Sequence, residues 1–275
     1  MYSPPTDPAD RQRMAKAFMR AVDELGATVD GREVWGWRGR TLSACVRSER
    51  YGQCWLRLMT APEDKATGKI WEGNQKAAEL FDLRLVKPEL YDVVDRVEGG
   101  YGYRAELSQY VPEPVCSPSP VLSPHMVVPP EAWWKSLRAD LDAVAESPTD
   151  RVAVRQEWAD RNVPVFLNRP APRITEWETA HGDLHPANLT TGTPYLLDWE
   201  GFGRAPAGYD PAMLLAYSML APEFAARVRE TFPVLDTELG RVAQIIVITE
   251  LMQSASRGDH PELVGALQCL AQDLV

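Results

Sequence analysis

Four prolines fall in nine residues, Pro112-Glu113-Pro114-Val115-Cys116-Ser117-Pro118-Ser119-Pro120. Proline has no N–H to give to a sheet ladder and breaks a helix interior, so no regular element crosses this stretch. The residue patterns on its two sides differ in kind. Before it, residues 11–25 place Met14, Phe18, Val22 and Leu25 on one helical face with Gly26 as a stop, and β-type runs then dominate. Glu33–Trp37, Leu42–Val46 and Cys54–Met59 read as three strands, Ile70–Phe81 as a helix, and Tyr91–Val97 and Tyr103–Val111 as two further strands joined at Glu98-Gly99-Gly100. After the prolines, a helix opens at Pro129-Pro130-Glu131 and carries Leu137, Leu141 and Val144, while 208–230, 239–256 and 263–270 are helical in pattern. The expected architecture is α+β in two lobes, residues 1–111 with a five-stranded antiparallel sheet and one inserted helix, and residues 112–275 mainly helical.

Composition narrows the classes of function. Of 275 residues, 45% are hydrophobic and 25% charged, which is the usage of a folded core. The balance of 29 basic against 39 acidic residues gives −10 and argues against an electrostatic partnership with nucleic acid. Cys45, Cys54, Cys116 and Cys269 show neither a C-x-x-C pair nor zinc-ligand spacing, so they are expected as reduced core thiols. Met1–Pro8 lacks the features of a signal peptide and no apolar run is long enough to span a bilayer, so the expected location is cytoplasmic, with no membrane partner.

The most polar and least helix-compatible part of the second half is His181-Gly182-Asp183-Leu184-His185-Pro186-Ala187-Asn188-Leu189, followed by Tyr195-Leu196-Leu197-Asp198-Trp199-Glu200. Asp183 and Asn188 lie five apart, and Asp198 ends a short apolar β-type run ten residues later. Two metal-competent oxygen ligands and a third carboxylate in one loop cluster suit Mg²⁺, which takes few protein ligands and fills its octahedron with water and phosphate oxygens. The chemistry such a set serves is phosphoryl transfer.

These motifs resemble the H-G-D-x-x-x-x-N loop and the following D-x-E motif of the aminoglycoside phosphotransferase and choline kinase family, whose members share the protein-kinase-like fold. Gly208-Tyr209-Asp210-Pro211-Ala212 is similar to the segment that follows the metal motif there. The resemblance implies Asp183 as the catalytic base and Asn188 and Asp198 as Mg²⁺ ligands. It implies His181 and Asp210 as braces of the loop. For His185 it leaves two roles open, phosphate contact or packing, and Glu200 is a further candidate for phosphate or substrate contact.

In the first lobe the resemblance rests on layout. The turn Trp35-Gly36-Trp37-Arg38-Gly39-Arg40 stands where the family covers the ATP phosphates, which makes Gly36 and Gly39 candidates, although an ordinary hairpin would read the same. Arg57 occupies the strand position where the family commonly has Lys, Glu72 or else Glu79 the helix position of its pairing carboxylate, and Gln109 and Val111 the adenine-binding connector. The implied function is ATP-dependent phosphorylation, with GTP as an alternative, of a hydroxyl on a small cationic acceptor such as an aminoglycoside-like antibiotic or an amino alcohol, by a monomer or weak homodimer. Carboxylates offered for the amine are Glu131, Asp140, Asp142, Glu250, Asp259 and Glu262, and Trp133 and Trp134 are offered as a cage for a quaternary amine. The competing reading is a nucleotide-binding regulatory protein on a degenerate kinase fold.

Overall fold

Strand alternation explains the first unit. In a computed structural model that describes residues 3–81 and 85–274, Leu56, Leu58, Ala105 and Leu107 point to one face of a sheet and Arg57, Arg104 and Glu106 to the other. The apolar face is covered by α1 (Pro8–Glu24), capped by Asp7, whose carboxylate accepts from Ala9 N at 2.8 Å. Met14, Phe18, Ala21 and Val22 of α1 form one core with Leu42, Ala44, Val46, Leu56 and Leu58.

The strands are β1 (Ala27–Val29), β2 (Val34–Trp35), β3 (Thr41–Ser48), β4 (Gly52–Pro62), β5 (Leu90–Glu98) and β6 (Tyr101–Gln109), all paired antiparallel. Their order is β1-β3-β4-β6-β5, with β2 added to β3. The sheet therefore has six strands and not five. The additional strand is Ala27–Val29, which follows directly on the Gly26 stop and is too short to show a period.

The helix α2 (Lys69–Leu80) crosses between β4 and β5 and lies toward the polar face of the sheet. Arg104 fixes it there. Its guanidinium donates to both oxygens of Asp95 at 2.9 and 2.6 Å, and its Nη1 to the carbonyl of Trp71 at 2.7 Å.

The chain folds as two units, one of residues 1–79 with 88–112 and the other of residues 80–87 with 113–275. The short early piece is thus built into the later unit. Phe81 packs on Trp199 and Phe202 at centroid distances of 4.7 and 5.4 Å, and the Val86 carbonyl accepts from Leu196 N at 2.8 Å.

The second unit contains α3 (Glu131–Glu146), α4 (Gln156–Leu167), the antiparallel pair β7 (Trp177–Ala180) and β8 (Gly203–Pro206), α5 (Tyr209–Tyr217), α6 (Pro222–Thr231), α7 (Glu238–Ala255) and α8 (Val264–Asp273). The run 208–230, expected as one helix, breaks at Ser218–Ala221 ahead of Pro222, a helix-starting residue. Trp133 and Trp134 are both buried, meet edge to face at 4.8 Å, and donate their indole N–H groups to the carbonyls of Thr190 and Pro129 at 2.9 and 3.0 Å. They are core and not a ligand cage. Cys45, Cys54 and Cys116 are buried thiols as expected, whereas Cys269 is exposed. Among the described residues no helix is long and apolar enough to cross a membrane.

Candidate active site

The polar loop is held between β7 and β8. Strand β7 delivers His181, whose N–H donates to Asp210 Oδ2 at 2.6 Å, and the Gly182 N–H donates to Asp210 Oδ1 at 2.9 Å. Asp210 lies in the first turn of α5, where the helix dipole favours a carboxylate. A second tie runs the other way, from Gly208 N to Glu178 Oε1 at 2.7 Å. Gly182 has φ +82°, and a Cβ there would stand 2.5 Å from the Gly201 carbonyl oxygen, so the close approach of 182 to 201 requires glycine.

His181 is fully buried and works as a two-sided spacer. Its Nδ1 accepts from Asp183 N at 3.3 Å, which assigns the proton to Nε2, and Nε2 reaches the Leu197 carbonyl at 2.9 Å. Burial pushes its pKa down to about 3 against the opposing pull of the Leu197 carbonyl, so the ring is neutral. One imidazole thereby spaces the backbone of Asp183 from the segment that leads into Asp198.

Asn188 closes the loop. Its Nδ2 donates to the Asp183 carbonyl at 3.0 Å, and its own carbonyl accepts from Leu197 N at 2.9 Å. The second bond places Asn188 beside Asp198, which takes up a left-handed conformation at φ 58°. With Nδ2 engaged, the remaining side-chain atom of Asn188 is a hard amide oxygen, next in the backbone network to a carboxylate. That donor pair fits Mg²⁺ chemistry.

Asp183 itself has a side chain 44% exposed, in contrast to its buried supports. His185 is buried, its ring edge to face with Tyr217 at 5.5 Å and its Nε2 3.4 Å from Asn188 Nδ2 and 3.6 Å from Asp183 Oδ2. Burial lowers its pKa to about 4, with the Asp198 charge opposing. Of its two expected roles, packing is the one these surroundings support.

Glu200 contributes its main chain, since its carbonyl accepts from Arg151 Nη2 at 3.2 Å while Arg151 Nε donates to the Phe202 carbonyl at 3.2 Å. Arg151 thus braces the turn after Asp198. In the sequence it is an isolated arginine that gives no signal, and Glu178, on β7, gives none either.

Asp210 is buried, and burial outweighs its two backbone donors, holding its pKa up at about 7. Its neighbour Tyr209 donates its hydroxyl to Glu250 of α7.

In the first unit Arg57 stands on β4 and Glu72 in the first turn of α2. The carboxylate that Arg57 Nη1 meets is Glu106 of β6, at 3.3 Å, and the α2 residue that joins this carboxylate is Asn74, at 2.7 Å. Glu79, the alternative, is exposed and pairs with Lys76 on its own helix at 2.7 Å.

The Gly36 N–H donates to the Thr41 carbonyl at 3.0 Å, Gly39 N–H to Gly36 at 3.2 Å and Arg40 N–H to Trp37 at 3.1 Å, the bonding of a hairpin turn. Gln109 N–H is engaged by the Glu89 carbonyl at 2.8 Å, and Val111 follows two residues beyond the end of β6.

Residues 122–242, which contain the whole loop and Asp210, match the APH phosphotransferase enzyme family. No curated protein matches the chain in sequence. Among solved structures, a thermostable mutant of aminoglycoside phosphotransferase APH(4)-Ia, in a ternary complex with ADP and hygromycin B, is 12% identical with a TM-score of 0.62, over 94% of this chain and 97% of that one. The amicoumacin kinase hAmiN, bound to AMP-PNP, Ca²⁺ and Ami, is 13% identical with a TM-score of 0.57, over 94% and 92%. A putative fructosamine-3-kinase from Haemophilus somnus 129PT is 10% identical with a TM-score of 0.54, over 96% and 98%. The fold is therefore the kinase-like α+β fold of these solved structures, and the residues that match the family model contain the loop in which the candidate catalytic residues gather.

Proposed function

We propose that the protein transfers the γ-phosphoryl group of ATP, with GTP as the alternative donor, to a hydroxyl of a small cationic acceptor. The observation that carries this reading is the contrast within one loop: Asp183 is 44% exposed while His181 and Asp210, which hold it, are buried. A carboxylate so presented can align an acceptor hydroxyl and take its proton as the phosphoryl group moves. Asn188 and Asp198 would hold Mg²⁺, which when bound supplies charge neutralisation on the phosphates. The neutral His181 ring keeps the Asp183 backbone at a set distance from the Leu197–Asp198 segment, so alignment of the acceptor is built in before it arrives. Residues 1–111 would serve the nucleotide and 112–275 the acceptor, in the cytoplasm, as a monomer or weak homodimer.

Among carboxylates offered for the acceptor amine, Glu131 is paired with Arg227, Asp142 lies 3.7 Å from Arg138, and Asp140 is buried. Glu250 is oriented by the Tyr209 hydroxyl, and Tyr209 also feels the Asp183 charge, which supports Glu250 as the acceptor-side carboxylate. The complexes of the solved neighbours with ADP or AMP-PNP and with hygromycin B support nucleotide and antibiotic classes. The regulatory alternative has one observation in its favour, the Gly36–Arg40 turn whose N–H groups at 36, 39 and 40 are used within the hairpin.

The test is thermal denaturation with ATP or GTP, each with and without Mg²⁺, followed by phosphate transfer to a panel of aminoglycosides and amino alcohols. A ligand at 100 times its Kd stabilises by about 2.7 kcal/mol. Asp183→Ala is expected to abolish transfer and keep nucleotide binding, and Asp198→Ala to weaken the Mg²⁺-dependent part of that binding. Nucleotide binding with no transfer to any acceptor, by the wild type, would favour the regulator.

A further inference from the structure

We propose that Glu106 is the positioning residue for Arg57, so that an ion pair orienting the phosphate-side cation is built into the sheet itself; this rests on the nucleotide reading of Arg57. Arg57 and Glu106 are direct partners in the antiparallel register of β4 and β6, and both point to the face opposite α1. Directly opposed side chains stand about 4.5–5.5 Å apart at Cβ, so the pairing follows from the ladder itself. The contact is 3.3 Å from Arg57 Nη1 to Glu106 Oε2, and the same Oε2 accepts from Asn74 Nδ2 at 2.7 Å.

Glu106 is 3% exposed, and its other oxygen, Oε1, is buried without a hydrogen-bond partner among the described residues. A buried carboxylate with one unsatisfied oxygen is a poor device for stability, because well-packed apolar residues would serve as well or better. Its effect is geometric. A guanidinium is a rigid planar fork, so anchoring it at Nη1 restricts the directions in which its other N–H groups can point. From the helix, the neutral amide of Asn74 immobilises the carboxylate and adds no charge to it. Movement of α2 would then leave Arg57 paired, since both charged members belong to adjacent strands joined by backbone hydrogen bonds.

A purely structural ion pair would affect melting alone, whereas a positioning pair affects nucleotide affinity in a coupled manner. Calorimetric binding of Mg²⁺ and AMP-PNP to the wild type, Glu106→Gln, Arg57→Gln and the double variant separates these. Glu106→Gln is expected to weaken binding about tenfold, equivalent to about 1.4 kcal/mol, with the double variant no weaker than Arg57→Gln alone. In turnover the loss falls on KM for the nucleotide more than on kcat. Full affinity in Glu106→Gln, or effects that simply add, would overturn the proposal. If Glu106→Gln does not fold, Asn74→Ala decides: a few-fold loss of affinity at unchanged melting temperature supports the proposal and unchanged affinity refutes it. A wild type that binds no nucleotide removes the functional reading first and this inference with it.

Discussion

The carboxyl group of Asp210 offers a sharp test of how this loop is held. Two backbone N–H groups at 2.6 and 2.9 Å favour its ionised form, and burial disfavours it. Burial prevails, with the pKa at about 7 against an ordinary 3.8. The folded protein therefore takes up a proton at Asp210 between about pH 4 and pH 7 that the unfolded chain has released. A native pKa raised in this way contributes stability at low pH that is lost as pH rises through 7. Three units at about 1.4 kcal/mol each amount to about 4 kcal/mol. The wild-type curve alone will not display it, because His181 and His185 act in the opposite sense. Their pKa values are lowered to about 3 and about 4, so their contribution is lost as pH falls below the ordinary 6.5. The measurement is urea denaturation of the wild type and Asp210→Asn at half-unit steps from pH 4 to 8, plotted as a difference. Asparagine does not titrate, so the advantage of the wild type should shrink by about 4 kcal/mol across that range. A difference that is flat or grows with pH would show Asp210 ionised in the fold, and the two N–H donors stronger than desolvation.

Other expectations are local. Gly182→Ala places a Cβ 2.5 Å from the Gly201 carbonyl oxygen at φ +82°, and should cost about 2 kcal/mol or more of stability and most of the transfer activity. A wild-type melting curve for that variant would mean the 182–201 approach is relaxed in solution. Trp134→Ala removes a ring 1% exposed and its bond to the Pro129 carbonyl, and should cost about 3–5 kcal/mol in urea denaturation. A loss under about 1 kcal/mol would place Trp134 outside the cooperative core.

The loop is legible in the sequence because its residue types are rare together and adjacent: His181, Asp183, Asn188 and Asp198 lie within 18 residues. The strands β3 to β6 are legible from composition and turns. Register is not. Glu106 sits between Ala105 and Leu107 in a pattern that fits any half-buried strand, and only the pairing of β4 with β6 sets it opposite Arg57. The expectation of a helix carboxylate near Arg57 comes from the family layout, and gives no hint of the strand carboxylate Glu106 that Arg57 meets or of the Asn74 amide that joins it. Helix α4 leaves no clear pattern because Pro164 stands inside it and only Ala159 and Val163 of its residues are buried. Strands β7 and β8, four residues each, are made by tertiary pairing across the loop and carry little period of their own.

The placement of residues 80–87 within the later unit bears on how this chain can be cut or recombined. A fragment begun at residue 113 would lack Phe81, leaving Trp199 and Phe202 without that partner, and the Leu196 N–H would have no Val86 carbonyl to receive it. A fragment ended at 112 would carry the same short piece with nothing to dock on. Exchange of the helical portion between related sequences should therefore move residues 80–87 together with 113–275, as a discontinuous cassette. On the ribosome the helical portion emerges after this piece has already been made, so its completion waits on the return of a segment synthesised before residues 88–112.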